Sequence, residues 1–245
     1  MKRTRDAALA IGKQYYRTPS ERIYYAGGSK GGHEGLVAAQ RYGADYDGVI
    51  AYYPANQNQA MVLSWFDMWR RAYLQPGGAL NLAEQQFLQS EVLERCDTLD
   101  GVADGVVSNL KGCETAFSVD ALRCPDGGDT GDACFSDTQI ATLRAAASPM
   151  QFAFPLANGV TSMGPYPVFL GGDVTGILFS PLGVGEATGY YGLADGVVRY
   201  FIQQDSSATL AGFDYRDWQP RVEQISRMYD ATSTDVEAFR QKGAS

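Results

Sequence analysis

The pattern G-x-S-x-G occupies residues 27–31 and constrains the fold more than any other stretch of the chain. It follows a short apolar run and precedes a helix-like segment over residues 32–42. A strand, a sharp turn and a helix in this order are typical of a nucleophile elbow, whose serine lies on strained backbone above a sheet. The glycines let helix and strand approach because they carry no side chains. The pattern predicts an exposed Ser29, against the alternative of a glycine-rich turn in an ordinary βα unit.

A nucleophilic serine needs a base, which is usually a histidine. In proteins with a nucleophile elbow, the catalytic residues follow one another along the chain in the order nucleophile, acid, histidine. The only histidine of the sequence is His33, four residues after Ser29. Because an elbow serine points away from the helix that follows it, we expect His33 to pack beside the elbow and not to reach the serine oxygen. Either the chemistry is unusual or the chain is incomplete.

Helical and extended patterns alternate over residues 1–57 and become irregular afterwards. The predicted elements of the first part are helices over 6–16 and 32–42 and strands over 22–26 and 47–53. The predicted elements of the rest are helices over 59–73 and 82–95, glycine-rich and aromatic loops to about 212, and returning helices over 219–229 and 233–242. Alternating strands and helices imply a parallel sheet, and two strands are too few to complete one. The sequence therefore predicts an α/β fold with a large insertion.

Charge and hydropathy exclude several classes of partner. The formal net charge of −8 argues against nucleic acid and against anionic membrane surfaces. The sequence contains no run of about 20 apolar residues that would span a bilayer. The amino-terminal stretch resembles a signal peptide only superficially, because Lys13 and Gln14 interrupt its apolar part.

An acidic segment inside the insertion has the composition of a cation-binding loop. Asp97, Asp100 and Asp104 lie close together in the sequence, with glycines at two bends between and after them. Hard divalent cations prefer six to eight oxygen ligands, typically carboxylates mixed with backbone carbonyls. Glycine bends would turn the carbonyls of Val102 and Val106 inward as well. The spacing differs from that of an EF-hand, and the alternative is an acidic, solvated turn.

All four cysteines, at positions 96, 113, 124 and 134, lie in the insertion. Four cysteines allow three pairings, of which the sequential one closes two short irregular loops. A four-cysteine zinc site is disfavoured because the paired C-x-x-C spacing is absent. Disulfides and a calcium site both indicate an exported protein, secreted or periplasmic.

These motifs together resemble the tannase and feruloyl esterase family. Residues 27–32, 39–42 and 47–51 are similar to the family's nucleophile region. The segment 96–106 resembles the calcium loop of the family's lid and is the more specific of the two motifs. Residues 229–243 are similar to the segment in which the lid returns to the core. The resemblance spans nearly the whole chain.

The resemblance implies an α/β-hydrolase that cleaves small-molecule esters of aromatic acids, with a large lid that forms much of the acid-binding pocket. It assigns Ser29 as the nucleophile and the backbone N–H of Lys30 as an oxyanion-hole donor. It also implies calcium as the cofactor. The calcium ligands implied are Asp97, Asp100, Val102, Asp104 and Val106, the two valines through their carbonyl oxygens.

The sequence departs from the family at two positions beside the serine. The family normally has a cysteine before the serine, paired with a cysteine next to the catalytic histidine, and here that position is Gly28. The residue after the serine is usually small, and here it is Lys30, whose long cationic side chain could crowd the site or change its charge.

A further departure is that the sequence ends before the family's catalytic aspartate and histidine. We therefore expect a partial α/β-hydrolase core over residues 1–57, a mixed lid domain over 58–225, and a helix returning to the core over 226–245. We expect the 245-residue chain to be inactive alone. The alternative function is a non-catalytic, calcium-stabilised binding module derived from an esterase lid.

Overall fold

The computed structural model describes residues 2–172 and 189–243, so part of the predicted glycine-rich loop region lies outside the described residues. The helices are α1 (Lys2–Tyr16), α2 (Lys30–Tyr42), α3 (Asn58–Trp69), α4 (Leu82–Cys96), α5 (Leu110–Ala116), α6 (Asp137–Ala146), α7 (Gly189–Val197), α8 (Gln219–Tyr229) and α9 (Glu237–Gln241). The strands are β1 (Tyr24–Gly28), β2 (Gly48–Tyr52), β3 (Met150–Gln151) and β4 (Ser162–Met163). Short π-helical turns, Arg70–Leu74 and Val198–Gln203, continue α3 and α7.

The chain forms two compact units. The first unit consists of Met1–Gln59, Leu156–Gly159 and Gln224–Ser245. The second unit consists of Ala60–Pro155 and Val160–Glu223. Among the described residues, no helix is long and apolar enough to cross a membrane.

A parallel βαβ unit forms the centre of the first unit. Strands β1 and β2 pair in parallel, in a register that runs from Tyr24 opposite Gly48 to Gly28 opposite Tyr52. Helix α2 connects them, and its buried residues are small except for His33. At Gly35 an added Cβ would lie 3.2 Å from the side chains of both strands, so the absence of a side chain lets the helix pack closely on the sheet.

The order of elements in the first unit agrees with the sequence prediction, although several ends are shifted, and α1 begins four residues earlier than predicted. The first strand lies two residues later than predicted and ends at Gly28, and α2 begins directly after the serine. The last helix begins four residues later than predicted. There Ser233 Oγ accepts from the N–H of Asp235, and Asp235 Oδ1 accepts from the N–H of Glu237, at 3.1 Å each. Such local side-chain bonds compete with helix formation.

Two stacked pairs of aromatic rings contribute to the core of the second unit. The ring centroids of Trp65 and Tyr190 lie 4.6 Å apart, and those of Trp69 and Tyr191 lie 4.7 Å apart, in both cases nearly parallel. Each buried aromatic side chain removes a large apolar area from water, and stacked pairs add about 0.5–1.5 kcal/mol. The spacing of the two tryptophans, one helical turn apart on α3, places both on the same face.

Three helices of the second unit occur where loops were predicted, so the prediction was wrong for α5, α6 and α7. Helix α6 begins with a capping box, in which Ser136 and Gln139 exchange side-chain and backbone hydrogen bonds. This signal was present in the sequence. Helix α5 is only seven residues long and is capped by Asn109. Helix α7 contains glycines that disfavour a helix, and its tyrosines stack on the α3 tryptophans.

The sequential cysteine pairing is confirmed. Disulfides join Cys96 to Cys113 and Cys124 to Cys134. The first bond links the end of α4 to α5, and the second closes a loop of little regular structure. By loop-closure entropy each bond stabilises the fold by about 3 kcal/mol. Because both pairs are oxidised, the zinc alternative does not apply.

Candidate active site and acidic loop

Ser29 lies at the junction of β1 and α2 in strained backbone. Its φ and ψ angles are 52° and −113°, a region that non-glycine residues rarely adopt. Its N–H donates to the carbonyl of Tyr52 at 3.1 Å, and its carbonyl accepts from the N–H of Ala55 at 3.1 Å. These bonds fix the turn against the end of β2. The serine side chain is exposed.

Two glycines make the elbow sterically possible. A Cβ at Gly27 would lie 2.7 Å from the backbone of Gly31, and a Cβ at Gly32 would lie 2.4 Å from the carbonyl oxygen of Tyr52. Real Cβ atoms do not approach backbone atoms so closely. The tight approach of strand and helix therefore requires glycine at both positions.

The amino terminus of α2 presents backbone donors next to Ser29. The N–H of His33 donates to the carbonyl of Ser29 at 3.0 Å, as expected for an α-helical turn. The N–H groups of Lys30, Gly31 and Gly32 precede that bond, and helical geometry gives them no intrahelical acceptor. With the positive end of the helix dipole, such donors can stabilise negative charge that develops on a substrate oxygen.

The side chain of Lys30 lies along the flank of α2. Its Nζ donates to Nδ1 of His33 at 3.0 Å and lies 4.3 Å from the ring centroid of Tyr229. It also lies 4.0 Å from a carboxylate oxygen of Glu34. These contacts hold the ammonium group against an imidazole, an aromatic ring and a carboxylate, so its charge is partly compensated there.

His33 is buried, and both of its ring nitrogens are engaged. Nε2 lies 2.6 Å from the carbonyl oxygen of Tyr229 and donates to it, so Nδ1 is left to accept from Lys30. The imidazole also stacks on the ring of Tyr229, with centroids 4.9 Å apart. Burial lowers the pKa of His33, and the nearby ammonium lowers it further. The packing role predicted for His33 is confirmed.

The lowered pKa of His33 predicts a pH-dependent stability. A histidine whose pKa is lower in the folded state binds more protons when the chain is unfolded. Its contribution to the free energy of unfolding is therefore lost as the pH falls through its pKa in the unfolded chain, about 6.5. We expect the free energy of unfolding to decrease between pH 7.5 and pH 5.5. The decrease should be smaller in His33→Gln, which keeps a donor but does not titrate. Urea unfolding at both pH values measures it, and an equal decrease in both proteins would contradict the assignment.

A buried carboxylate that the sequence analysis did not single out lies in the same unit. Asp230 Oδ1 accepts from the N–H of Gln59 at 2.9 Å, and Oδ2 accepts from Ser226 Oγ at 2.6 Å. Burial raises the pKa of Asp230. The N–H of Ala231 also donates to the carbonyl of Asn56 at 2.9 Å. Asp230 therefore joins the return segment to the start of α3. The resemblance of residues 229–243 to the family's return segment was the feature of the sequence that pointed to this residue.

The acidic loop belongs to the second unit and is folded on itself by side-chain bonds to its own backbone. Asp97 Oδ1 accepts from the N–H groups of Asp104 and Gly105, at 3.2 and 3.0 Å. These bonds bring the two ends of the loop together. Gly101 and Gly105 have φ angles of 96° and 78°, so the bends predicted at these glycines are present.

The other two carboxylates of the loop form local turns. Asp100 Oδ1 accepts from the N–H of Val102 at 2.9 Å, and Asp104 Oδ1 accepts from the N–H of Val106 at 3.0 Å. Over the described residues, no group of three or more His, Cys, Asp or Glu side chains is gathered in a metal-binding arrangement. The donor set, carboxylates and carbonyls only, has the chemistry that calcium prefers. Calcium binding stays a prediction.

A strained serine between a parallel strand and a helix, beside the first N–H groups of that helix, defines the nucleophile elbow of an α/β-hydrolase-like protein. The sequence model of the family described as Tannase and feruloyl esterase matches residues 1–245. The chain belongs to this family.

Individual relatives agree with this assignment. An uncharacterized esterase of Agrobacterium fabrum is 29% identical over 260 residues, covering 99% of this chain and 46% of the relative. The mono(2-hydroxyethyl) terephthalate hydrolase of Piscinibacter sakaiensis is 31% identical over 177 residues, covering 62% of this chain and 29% of that enzyme. The crystal structure of an esterase from Aspergillus oryzae is similar in fold, with a TM-score of 0.76 at 22% identity over 99% of this chain and 46% of that one. The chain thus spans less than half the length of these proteins.

Proposed function

We propose that the chain carries the nucleophile region of a carboxylic ester hydrolase of the tannase and feruloyl esterase type, in which Ser29 attacks the carbonyl carbon of an aromatic-acid ester. The observation that carries this proposal is the strained backbone of Ser29 at an exposed elbow in a chain of this family. The strain is held by hydrogen bonds to the end of β2, so it belongs to the fold. Strained backbone of this kind is characteristic of catalytic serines on elbows.

In the proposed reaction the Ser29 oxygen adds to the ester carbonyl, and the carbonyl oxygen becomes an oxyanion. The backbone N–H of Lys30 donates to that oxyanion, helped by the dipole of α2. Collapse of the intermediate expels the alcohol and leaves an acyl group on Ser29, which water then removes. The expected products are a free aromatic acid and an alcohol.

The base that takes the Ser29 proton is not His33 in this proposal, because Tyr229 and Lys30 occupy its ring nitrogens. We place the catalytic histidine and its carboxylate partner outside these 245 residues. General-base assistance contributes about 10²–10⁴-fold. The 245-residue chain should therefore hydrolyse an aryl ester no faster than its Ser29→Ala variant. Turnover that His33→Ala abolishes would contradict this assignment.

Exogenous imidazole provides a direct test of Ser29 as the nucleophile. We expect imidazole in the buffer to accelerate acylation of Ser29 by p-nitrophenyl benzoate, since it can act as the base that this proposal places outside these residues. Intact mass and peptide mapping should locate one benzoyl group on the peptide that contains Ser29. Ser29→Ala should lose that adduct and keep the background reaction of imidazole with the ester. An adduct spread over other residues, or none on Ser29, would contradict the proposal.

We further propose that the acidic loop binds calcium through Asp97, Asp100 and Asp104 and the carbonyls of Val102 and Val106. When bound, the ion would neutralise three carboxylates of one loop and stabilise it. Two disulfides in the same unit, one of them starting at the residue before Asp97, support an exported protein, secreted or periplasmic. We assign the second unit as the lid.

The alternative function, a non-catalytic calcium-stabilised binding module, rests on two departures from the family beside the serine, Gly28 in place of a cysteine and Lys30 in place of a small residue. It predicts a calcium response without any acylation of Ser29. The imidazole experiment separates the two functions, because only the esterase proposal requires the benzoyl adduct.

A further inference from the structure

Tyr53 places an aromatic ring beside the nucleophile elbow. It is the first residue after β2, and its side chain folds over the end of the neighbouring strand at Gly28. A Cβ at Gly28 would lie 2.6 Å from the Oη atom and 2.7 Å from the Cζ atom of Tyr53. The phenol end of Tyr53 therefore fills the volume that a side chain at position 28 would take.

The backbone brings Tyr53 and Ser29 to matching positions. Gly28 and Tyr52 are paired in the parallel register, so the next residue of each strand, Ser29 and Tyr53, lies just beyond the same edge of the sheet. Tyr53 has a φ of 30°, as unusual for a bulky residue as the 52° of Ser29. Such strained backbone is energetically unfavourable and clusters at sites that bind ligands.

The ring of Tyr53 is available to a ligand. The residue is 80% exposed, although its phenol end contacts Gly28. The ring of Tyr52 is 6.5 Å away and tilted by 42°, so it does not stack on Tyr53. The carboxyl edge of a parallel sheet is where α/β proteins bind their ligands. An open aromatic ring at that edge, at the position on β2 that matches the nucleophile, is suited to pack against another aromatic ring.

We propose that Tyr53 is a substrate-contacting residue beside the serine, and that its ring packs against the aromatic acyl group of the ester. The inference rests on the proposed esterase function. It adds a determinant of specificity for aromatic over aliphatic acyl groups. Gly28 is part of the same arrangement, because only glycine leaves room for the phenol.

The first test compares two esters that share a leaving group and differ in their acyl group. Imidazole-assisted acylation of Ser29 is measured with p-nitrophenyl benzoate and with p-nitrophenyl acetate, and the ratio of the two rates is compared between proteins. We expect Tyr53→Ala to lower the ratio by about three- to tenfold, as for one aromatic contact, and Tyr53→Phe to preserve most of it. The matched control is Tyr24→Ala, which removes a tyrosine that is 63% exposed at the opposite end of β1. An unchanged ratio in Tyr53→Ala overturns the inference.

A second measurement keeps the inference testable if Ser29 is not acylated at all, an outcome that would overturn the esterase proposal by itself. The full chain is labelled with 3-fluorotyrosine, and the fluorine resonances of Tyr53 and Tyr24 are assigned from Tyr53→Phe and Tyr24→Phe. Titration with benzoate should shift the Tyr53 resonance in a saturable way and leave the Tyr24 resonance in place. If Ser29 is not acylated, a Tyr53 resonance that does not move, or that moves together with that of Tyr24, overturns the inference.

Discussion

Gly32→Ala should destabilise the first unit by about 3 kcal/mol, the upper range for overpacking at a tight contact. The added Cβ would lie 2.4 Å from the carbonyl oxygen of Tyr52 and 2.9 Å from the Cα of Pro54. Both are backbone atoms at the end of β2, so no side-chain rotation can relieve the clash. Because the same Tyr52 carbonyl accepts from the N–H of Ser29, moving it also loosens the elbow.

The matched control is Gly31→Ala, one residue earlier on the same helix. A Cβ at Gly31 meets nothing closer than the hydroxyl of Tyr25 at 3.9 Å. Alanine should there be neutral or stabilise α2 by up to about 1 kcal/mol, because it has the higher helix propensity. Urea unfolding followed by circular dichroism measures both variants, and hydrogen exchange of peptides from residues 24–42 locates the change. Equal stability of the two variants would show that the contact between α2 and the end of β2 is not tight.

The elbow could be predicted from the sequence because its determinants are local. A serine with glycines on both sides, after an apolar run and before a helix, specifies its own geometry, and the structure has Ser29 at a positive φ as this pattern requires. The cysteine pairing could be predicted for a similar reason, since sequential pairing closes the shortest loops. Helix α6 could also have been predicted, because Ser136 and Gln139 form a capping box three residues apart.

Contacts between distant residues could not be predicted. The contact of Tyr53 with Gly28 depends on the register of two strands joined by a helix, and no local pattern encodes it. The hydrogen bond of His33 to Tyr229 joins residues 196 positions apart. The sequence indicated that His33 is not the base, but the reason, that both of its nitrogens are engaged, required the structure. The bends of the acidic loop could be predicted because Gly101 and Gly105 are local determinants, whereas calcium binding by its carboxylates stays a prediction.

Calcium should raise the melting temperature of the protein, and a chelator should lower it. Without a cation, Asp97, Asp100 and Asp104 are three negative charges within one loop, and backbone N–H groups are their hydrogen-bond donors. An ion that binds only the folded state stabilises it by about 2.7 kcal/mol when its free concentration is a hundredfold above the dissociation constant. For a chain of this size that corresponds to a rise of roughly 5–10 °C. Magnesium should substitute poorly, because it requires a small octahedral site and retains its waters.

Asp100→Ala should abolish the calcium response and leave the elbow intact, because Asp100 belongs to the second unit and Ser29 to the first. The matched control is Asp129→Ala in another exposed loop, where Asp129 Oδ1 accepts from the N–H of Gly131 at 3.1 Å in the same kind of turn. That variant loses one carboxylate and one local hydrogen bond, so a general effect of charge or of turn geometry would appear in both proteins. Melting curves in chelator and in millimolar calcium, followed by circular dichroism, distinguish the loss of a calcium site from such a general effect. If the wild-type curves coincide, the loop is an acidic, solvated turn, and the calcium assignment that rests on the family resemblance is wrong.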